Sequence, residues 1–148
     1  MHNNRHQRII WKLVQDQHGY PPVSEEALWA ERIGPREFRV DNIPFYAPLV
    51  SVDDIIDADL VVNEWVFSSV MKLGGHSTIR VISYGAGLVT TVRKELAVLG
   101  CRTELSNVPT LFAVDIPPSV DYALVISLLE RYVAAGSLDY EESSIQHQ

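Results

Sequence analysis

Two amphipathic stretches in the second half of the chain constrain its fold more than any other feature. In "GAGLVTTVRKELAVLGC", Leu88, Val92, Leu96 and Leu99 recur at spacings of four, four and three. That spacing stacks them on one face of a surface helix. Gly100 follows as the natural C-cap, because glycine enters the left-handed conformation without steric cost. "SVDYALVISLLERYVAAG" repeats the pattern through Val120, Leu124, Leu128 and Tyr132, with Ser119 as the expected N-cap and Gly136 as the terminator. Around these helices, "STIRVISYG", "CRTELS" and "TLFAVDIP" read as strands bounded by glycine or proline. From Ser77 onward the order is strand, helix, strand, strand, helix. This is a ferredoxin-like split β-α-β unit short of its final strand, for which "SLDYEES" is the candidate edge.

The first half reads differently. "RIIWKLVQD" is rich in β-branched residues and "EALWAERIG" alternates Leu28, Ala30 and Arg32 with Trp29, Glu31 and Ile33. Both patterns favour strands. "QHGYPPVSEE" between them is a loop, since Pro21 and Pro22 have no amide hydrogen for a sheet ladder. A strand around Phe38–Val40 and another in "VVNEWVFSSVMKL", with Trp65 and Phe67 on one face, complete an all-β segment. In "YAPLVSVDDIIDADL", Ser51 and Asp54 stand at capping-box spacing, and a short helical turn or a bent strand is expected. The chain is therefore expected to be α+β. Residues 9–70 form a small antiparallel sheet or partial barrel, packed on a ferredoxin-like lobe over residues 71–142, in one compact unit. The polar ends "MHNNRHQ" and "EESSIQHQ" are expected to be loose.

Charge narrows the function classes. The 12 basic and 19 acidic side chains leave a net charge of −7. Residues 41–64 hold Asp41, Asp53, Asp54, Asp57, Asp59 and Glu64 without a Lys or Arg, and residues 104–148 carry only Arg131 as a base. That distribution disfavours a nucleic-acid partner, whose phosphates demand a basic footprint, and suits a basic protein partner. No stretch has the length and apolarity of a membrane span, and "MHNNRHQRIIWK" lacks a signal-peptide pattern, so a cytoplasmic location is expected. Cys101 is the single cysteine and can make neither an intramolecular disulfide nor a thiolate zinc cluster.

Catalytic vocabulary is sparse. The five histidines form no H-E-x-x-H, and no phosphate-binding glycine signature is complete; "SYGAGLV" offers only Gly85 and Gly87. No metal or cofactor is expected. "GGHS" is the segment that sets a histidine beside a serine, but neighbouring side chains on a strand point to opposite faces. His76 and Ser77 can share a proton only if the chain turns between them. Arg80 adds a guanidinium suited to an anion. In "NIPFYAP", Pro44 and Pro48 bracket Phe45 and Tyr46 on what should be a stiff, exposed loop, where an aromatic pair signals interaction.

Taken together, "DQHGYPPVSEEALWAERIG", "FRVDNIPFYAPLVSVDDII", "GGHSTIRV", "ELAVLGC" and "LFAVDIPPSVD" resemble a small bacterial family known as domain of unknown function number four thousand two hundred sixty-five. The resemblance spans about residues 9–142 and marks Gly19, Pro21, Pro22, Trp29, Asn42, Pro44, Phe45, Gly75, His76, Ser77 and Arg80 as signature positions without assigned roles. It implies a cytoplasmic single-domain protein. The leading expectation is a binding module, of the inhibitor or immunity type, for a basic protein, using Phe45 and Tyr46 as apolar anchors with Asp53, Asp54 and Asp57 beside them. The alternatives are a small enzyme or anion-binding domain centred on His76, Ser77 and Arg80, and a structural homodimer paired through the last strand.

Overall fold

The computed structural model describes residues 5–148. The expected loose N-terminal end falls partly on residues 1–4, outside the described residues; His6 and Gln7 already belong to the first strand. Five strands make the N-terminal lobe: β1 (His6–Lys12), β2 (Glu25–Arg32), β3 (Glu37–Val40), β4 (Ile55–Val61) and β5 (Glu64–Lys72). Successive strands pair antiparallel, and β5 returns to pair in parallel with β1 through Ile9–Trp65 and Ile10–Val66, closing a barrel. An odd number of alternating strands leaves the first and last running the same way, so closure requires one parallel seam. The barrel interior is filled at every second residue, by Ile9 and Trp11, Leu28 and Ala30, Phe38 and Val40, and Ile56 and Ala58. This is the period-two signature of a sheet with one buried face.

The second lobe contains β6 (Ser77–Ser83), α1 (Ala86–Leu99), β7 (Arg102–Leu105), β8 (Leu111–Ile116), α2 (Tyr122–Ala134) and β9 (Leu138–Ser144). The sheet order β7-β8-β6-β9 is that of a complete ferredoxin-like unit, with "SLDYEES" as its edge strand. Both helices lie on one face, over Ile79, Val81, Phe112, Val114 and Leu138. In α1 the expected stripe is nearly right: Val89, Val92 and Leu96 are buried and Gly100 is the left-handed cap. In α2 the face is turned. Val125, Leu128 and Leu129 are buried while Leu124 is exposed, and Asp121 rather than Ser119 caps the helix by accepting from the Ala123 amide. The cap lies two residues beyond the serine, and the helix starts at Tyr122.

The other face of this sheet meets the barrel. Residues 41–54, between β3 and β4, cross it: Ile43 and Val52 pack on Ala113, with Phe45 against them. This acid-bearing segment is neither helix nor strand. Ser51 and Asp54 instead close a tight turn, in which the Asp54 carboxylate accepts from the Ser51 amide and the Asp54 amide donates to the Ser51 carbonyl. No helix among the described residues is long and apolar enough to cross a membrane.

The β4–β5 hairpin turns on Val62 and Asn63, both at positive φ (47° and 67°). Such two-residue turns follow the twist of their strands, but a β-branched residue is strained there. Val62 is 89% exposed and contributes little packing. Val62→Asn is therefore expected to raise stability by about 1 kcal/mol, read as a higher denaturant midpoint with an unchanged slope.

Candidate functional site

Two polar centres occupy the seam between barrel and sheet. The first surrounds His76. Gly74 and Gly75 carry the chain out of β5, and a Cβ on Gly74 would stand 2.7 Å from the Asp53 carbonyl oxygen, so the barrel backbone passes where any side chain would be. His76 is 8% exposed. Its Nδ1 lies 2.8 Å from Asp115 Oδ1 and its Nε2 lies 3.2 Å from Asp53 Oδ2, so both ring nitrogens are committed to carboxylates. Arg102 Nη2 also reaches Asp115, at 3.3 Å.

Ser77 is fully buried and faces away from His76. Its hydroxyl lies 2.6 Å from His147 Nδ1, while His147 Nε2 lies 2.9 Å from the Pro117 carbonyl. A carbonyl only accepts, so Nε2 donates to it, and in the neutral ring Ser77 donates to Nδ1. This is a serine–histidine pair, but the serine is sealed beneath the C-terminal tail to which the half-buried His147 belongs. The tail is not loose as expected. Gln146 bridges Asp54 through its side-chain nitrogen at 3.0 Å and accepts from the Gly75 amide at 2.7 Å, and His147 stacks on Tyr122. A buried carboxylate needs such donors. Burial still pushes the Asp54 carboxyl above its ordinary range, against the opposing bonds from Gly74, Gln146 and Ser51.

The second centre is a cleft of about 520 Å³ between the loop after β1, the 41–54 connection and the open face of the sheet. Tyr20 and Tyr46 stand edge to face, with centroids 6.4 Å apart, and Ile82, Leu111 and Val108 add apolar wall. Arg80 lines the cleft at 7% exposure. Its Nη1 donates to the Phe45 carbonyl, its Nη2 lies 3.1 Å from Glu141, and its charge sits 6.0 Å from the centre of the Tyr46 ring. Tyr20 also donates to Glu141, at 3.0 Å. Burial pushes Glu141 upward, but the bond and charge of Arg80, aided by Tyr20, outweigh it and leave the carboxyl below its ordinary range.

The residues singled out in the sequence are thus distributed rather than clustered. Arg80 joins Tyr46 in the cleft. Asp53 joins His76 in the neighbouring network. Asp54 is wholly buried, so it can touch no partner, and Asp57 lies on the barrel, paired with Arg36 at 3.1 Å. Phe45 and Tyr46 do not form an exposed pair. The Glu26 carboxylate accepts from the amides of Phe45, Tyr46 and Ala47, at 2.7, 3.0 and 2.7 Å, and ties the proline-bracketed loop to β2 of the barrel. Tyr20, Ile82, Leu111 and Glu141 were not anticipated. Alternation along β6, which separates His76 from Ser77, also sets Arg80 and Ile82 on one face, and that was the available signal.

The profile of the domain of unknown function DUF4265 matches residues 26–140. No curated protein matches. A solved structure, described as a "Novel crystal structure of a hypothetical protein from Neisseria gonorrhoeae", is similar over 100% of this chain and 99% of that chain, with a TM-score of 0.75 and 20% identity. At that identity the likeness establishes the fold.

Gly74→Ala is expected to cost about 1–3 kcal/mol, because Asp53 backbone must move, whereas Gly87→Ala, in the first turn of α1 with open space around it, should not lower stability by denaturant melts. Carboxyl titration by NMR should find Asp54 above its ordinary 3.8 and Glu141 below its ordinary 4.5. The two act oppositely on stability. The Asp54 contribution is full below about pH 3.8 and is lost as pH rises through its folded value. The Glu141 contribution is present above about pH 4.5 and is lost as pH falls through its folded value.

Proposed function

The chain belongs to the DUF4265 family, a bacterial domain family of unknown function, and on that premise we propose that it is a cytoplasmic binding module whose receptor site is the cleft between barrel and sheet. The reading is carried by Ile82. It stands on one of the two inner strands of the sheet, yet is 43% exposed, on the floor of a concavity walled by tyrosines and leucine. A site of this size, mostly apolar and with few convergent polar groups, suits one apolar or aromatic group of a ligand. That group belongs either to a small molecule or to a partner's side chain, and the shared chemistry is the same. A catalytic reading centred on His76 has less support. Both of its nitrogens already face carboxylates, and Ser77 has no exposed surface from which to attack a substrate.

A second reading, the inhibitor- or immunity-type partner of a basic protein, is favoured by β9. On this edge strand Asp139, Glu141 and Glu142 each accept a tyrosine hydroxyl, from Tyr84, Tyr20 and Tyr122. Carboxylates held in place in this way present a preorganised acidic edge to a basic surface.

Ile82→Thr tests the first reading, because it shortens the apolar floor without adding a charge opposite Asp139 and keeps a β-branched residue on the strand. Neutral aromatic probes such as indole, and a phenylalanine-bearing peptide, should bind the wild-type protein with methyl NMR shifts confined to Ile82, Leu111 and Val108. The variant should lose about tenfold in affinity, as expected when a substantial part of one buried aliphatic contact is removed. Tighter binding of the peptide than of indole identifies a protein partner, and the reverse identifies a small molecule. Shifts scattered away from the cleft, or affinity unchanged in the variant, would exclude it as the receptor.

A further inference from the structure

We propose that the cleft recognises a carboxylate, that Arg80 is the residue that takes it, and that Glu141 is an internal stand-in occupying the same place. The proposal rests on the cleft being the receptor site and adds the chemical class of its ligand. Its starting point is an imbalance at Arg80. The guanidinium is more than nine-tenths buried, and its Nε has no hydrogen-bond partner among the described residues. Buried donors are nearly always satisfied, so an orphan on a charged group asks for an explanation.

The Nε–H and one Nη2–H of an arginine point the same way and form the fork that a carboxylate fills with two parallel bonds. Glu141 uses that fork poorly. One of its oxygens lies 3.1 Å from Nη2, and the other is turned to the Tyr20 hydroxyl at 3.0 Å. Nη1 is separately committed to the Phe45 carbonyl, which fixes the plane of the guanidinium from the barrel side. Nε and Nη2 are therefore held as a preset edge, beside a phenol donor, with an end-on carboxylate over half of it.

Glu141 is suited to leave. Its side chain is 54% exposed and it stands on the edge strand β9. Rotated outward, its carboxylate enters water and uncovers the fork, and the incoming carboxylate replaces the neutralising charge that Arg80 gives up. An incoming carboxylate that bonds Nε and Nη2 together satisfies the orphan that Glu141 does not. Ile82 and Leu111 beside the fork then hold the ligand's apolar part. The ligand class is an apolar or aromatic group carrying one carboxylate. Two sources share that chemistry: a free organic acid, and the C-terminal carboxylate of a peptide ending in an apolar residue.

The test uses the full chain, with phenylacetate and its neutral isostere phenylacetamide as probes, followed by calorimetry and by the Arg80 Nε–Hε NMR signal. Phenylacetate should bind more tightly than phenylacetamide and move the Arg80 Hε signal downfield. Glu141→Gln should tighten phenylacetate about fivefold or more relative to phenylacetamide, because it removes the carboxylate that competes for Arg80. A peptide ending in phenylalanine with a free carboxylate should outbind its amidated form. If it binds more tightly than phenylacetate, the source is a chain end; if less tightly, it is a free acid. Equal binding of phenylacetate and phenylacetamide, with shifts at Ile82 and Leu111, would overturn the carboxylate proposal and leave the cleft reading intact. Absence of both shifts and heat for either probe would overturn the two together. An unmoved Arg80 Hε, or no gain in Glu141→Gln, would likewise remove Arg80 as the recognising group.

Discussion

A guanidinium buried on an inner strand of a sheet has to be neutralised where it lies, and much of this molecule is arranged around that requirement. Arg80 stands on β6, which is covered by helices on one face and by the barrel on the other. Its neutralising charge comes from its own sheet, in Glu141, but its second acceptor comes from the barrel lobe, in the Phe45 carbonyl. An uncompensated charge in such a place would cost several kcal/mol. The barrel loop that supplies the carbonyl is held in turn by Glu26, through three amides. Asp54 and Asp115 impose the same condition nearby. Each is a wholly buried carboxylate whose donors come from distant parts of the chain: Gly74 and Gln146 for one, His76 and Arg102 for the other. The lobes are joined by satisfied polar groups as much as by the small apolar contact of Ile43, Val52 and Ala113.

These constraints reassign the histidine and serine that attract attention in the sequence. His76 and Ser77 lie on opposite sides of the backbone, as strand alternation requires, and each has a separate structural task. One crosslinks two carboxylates and the other anchors the C-terminal tail. The concave surface with uncommitted chemistry is a few residues along the same strand, at Arg80 and Ile82. Position in the fold, rather than residue type, separates the structural polar groups from the receptive ones.

Much of the architecture was legible because it is local. The helix in Ala86–Leu99 and the alternation in β1, β2 and β6 follow from side-chain period alone. The ferredoxin-like order from Ser77 onward, including its edge strand, follows from the sequence of elements. What escaped depends on contacts between distant residues. Closure of the barrel rests on a short parallel seam between β1 and β5, and neither strand announces its partner. The docking of Gln146 and His147 looks in the sequence like a polar, frayed end; only the buried Asp54 and Ser77 explain it. The Pro-bracketed aromatic pair looked exposed because nothing local predicts that Glu26, about twenty residues earlier, folds the loop inward. The candidate site was half visible. Arg80 and Tyr46 were marked, while Tyr20, Ile82 and Glu141 came together through the tertiary fold.

The central claim is that the buried polar seam makes barrel and sheet one cooperative body and so fixes the walls of the cleft. The chain contains its own reporters. Its three tryptophans, Trp11, Trp29 and Trp65, all lie in the barrel, and both helices lie in the other lobe. Denaturant unfolding followed by tryptophan fluorescence and by helical circular dichroism therefore reads each lobe separately. The account predicts coincident transitions with one midpoint and one slope. Two separated transitions, with the barrel melting while the helices persist or the reverse, would contradict it.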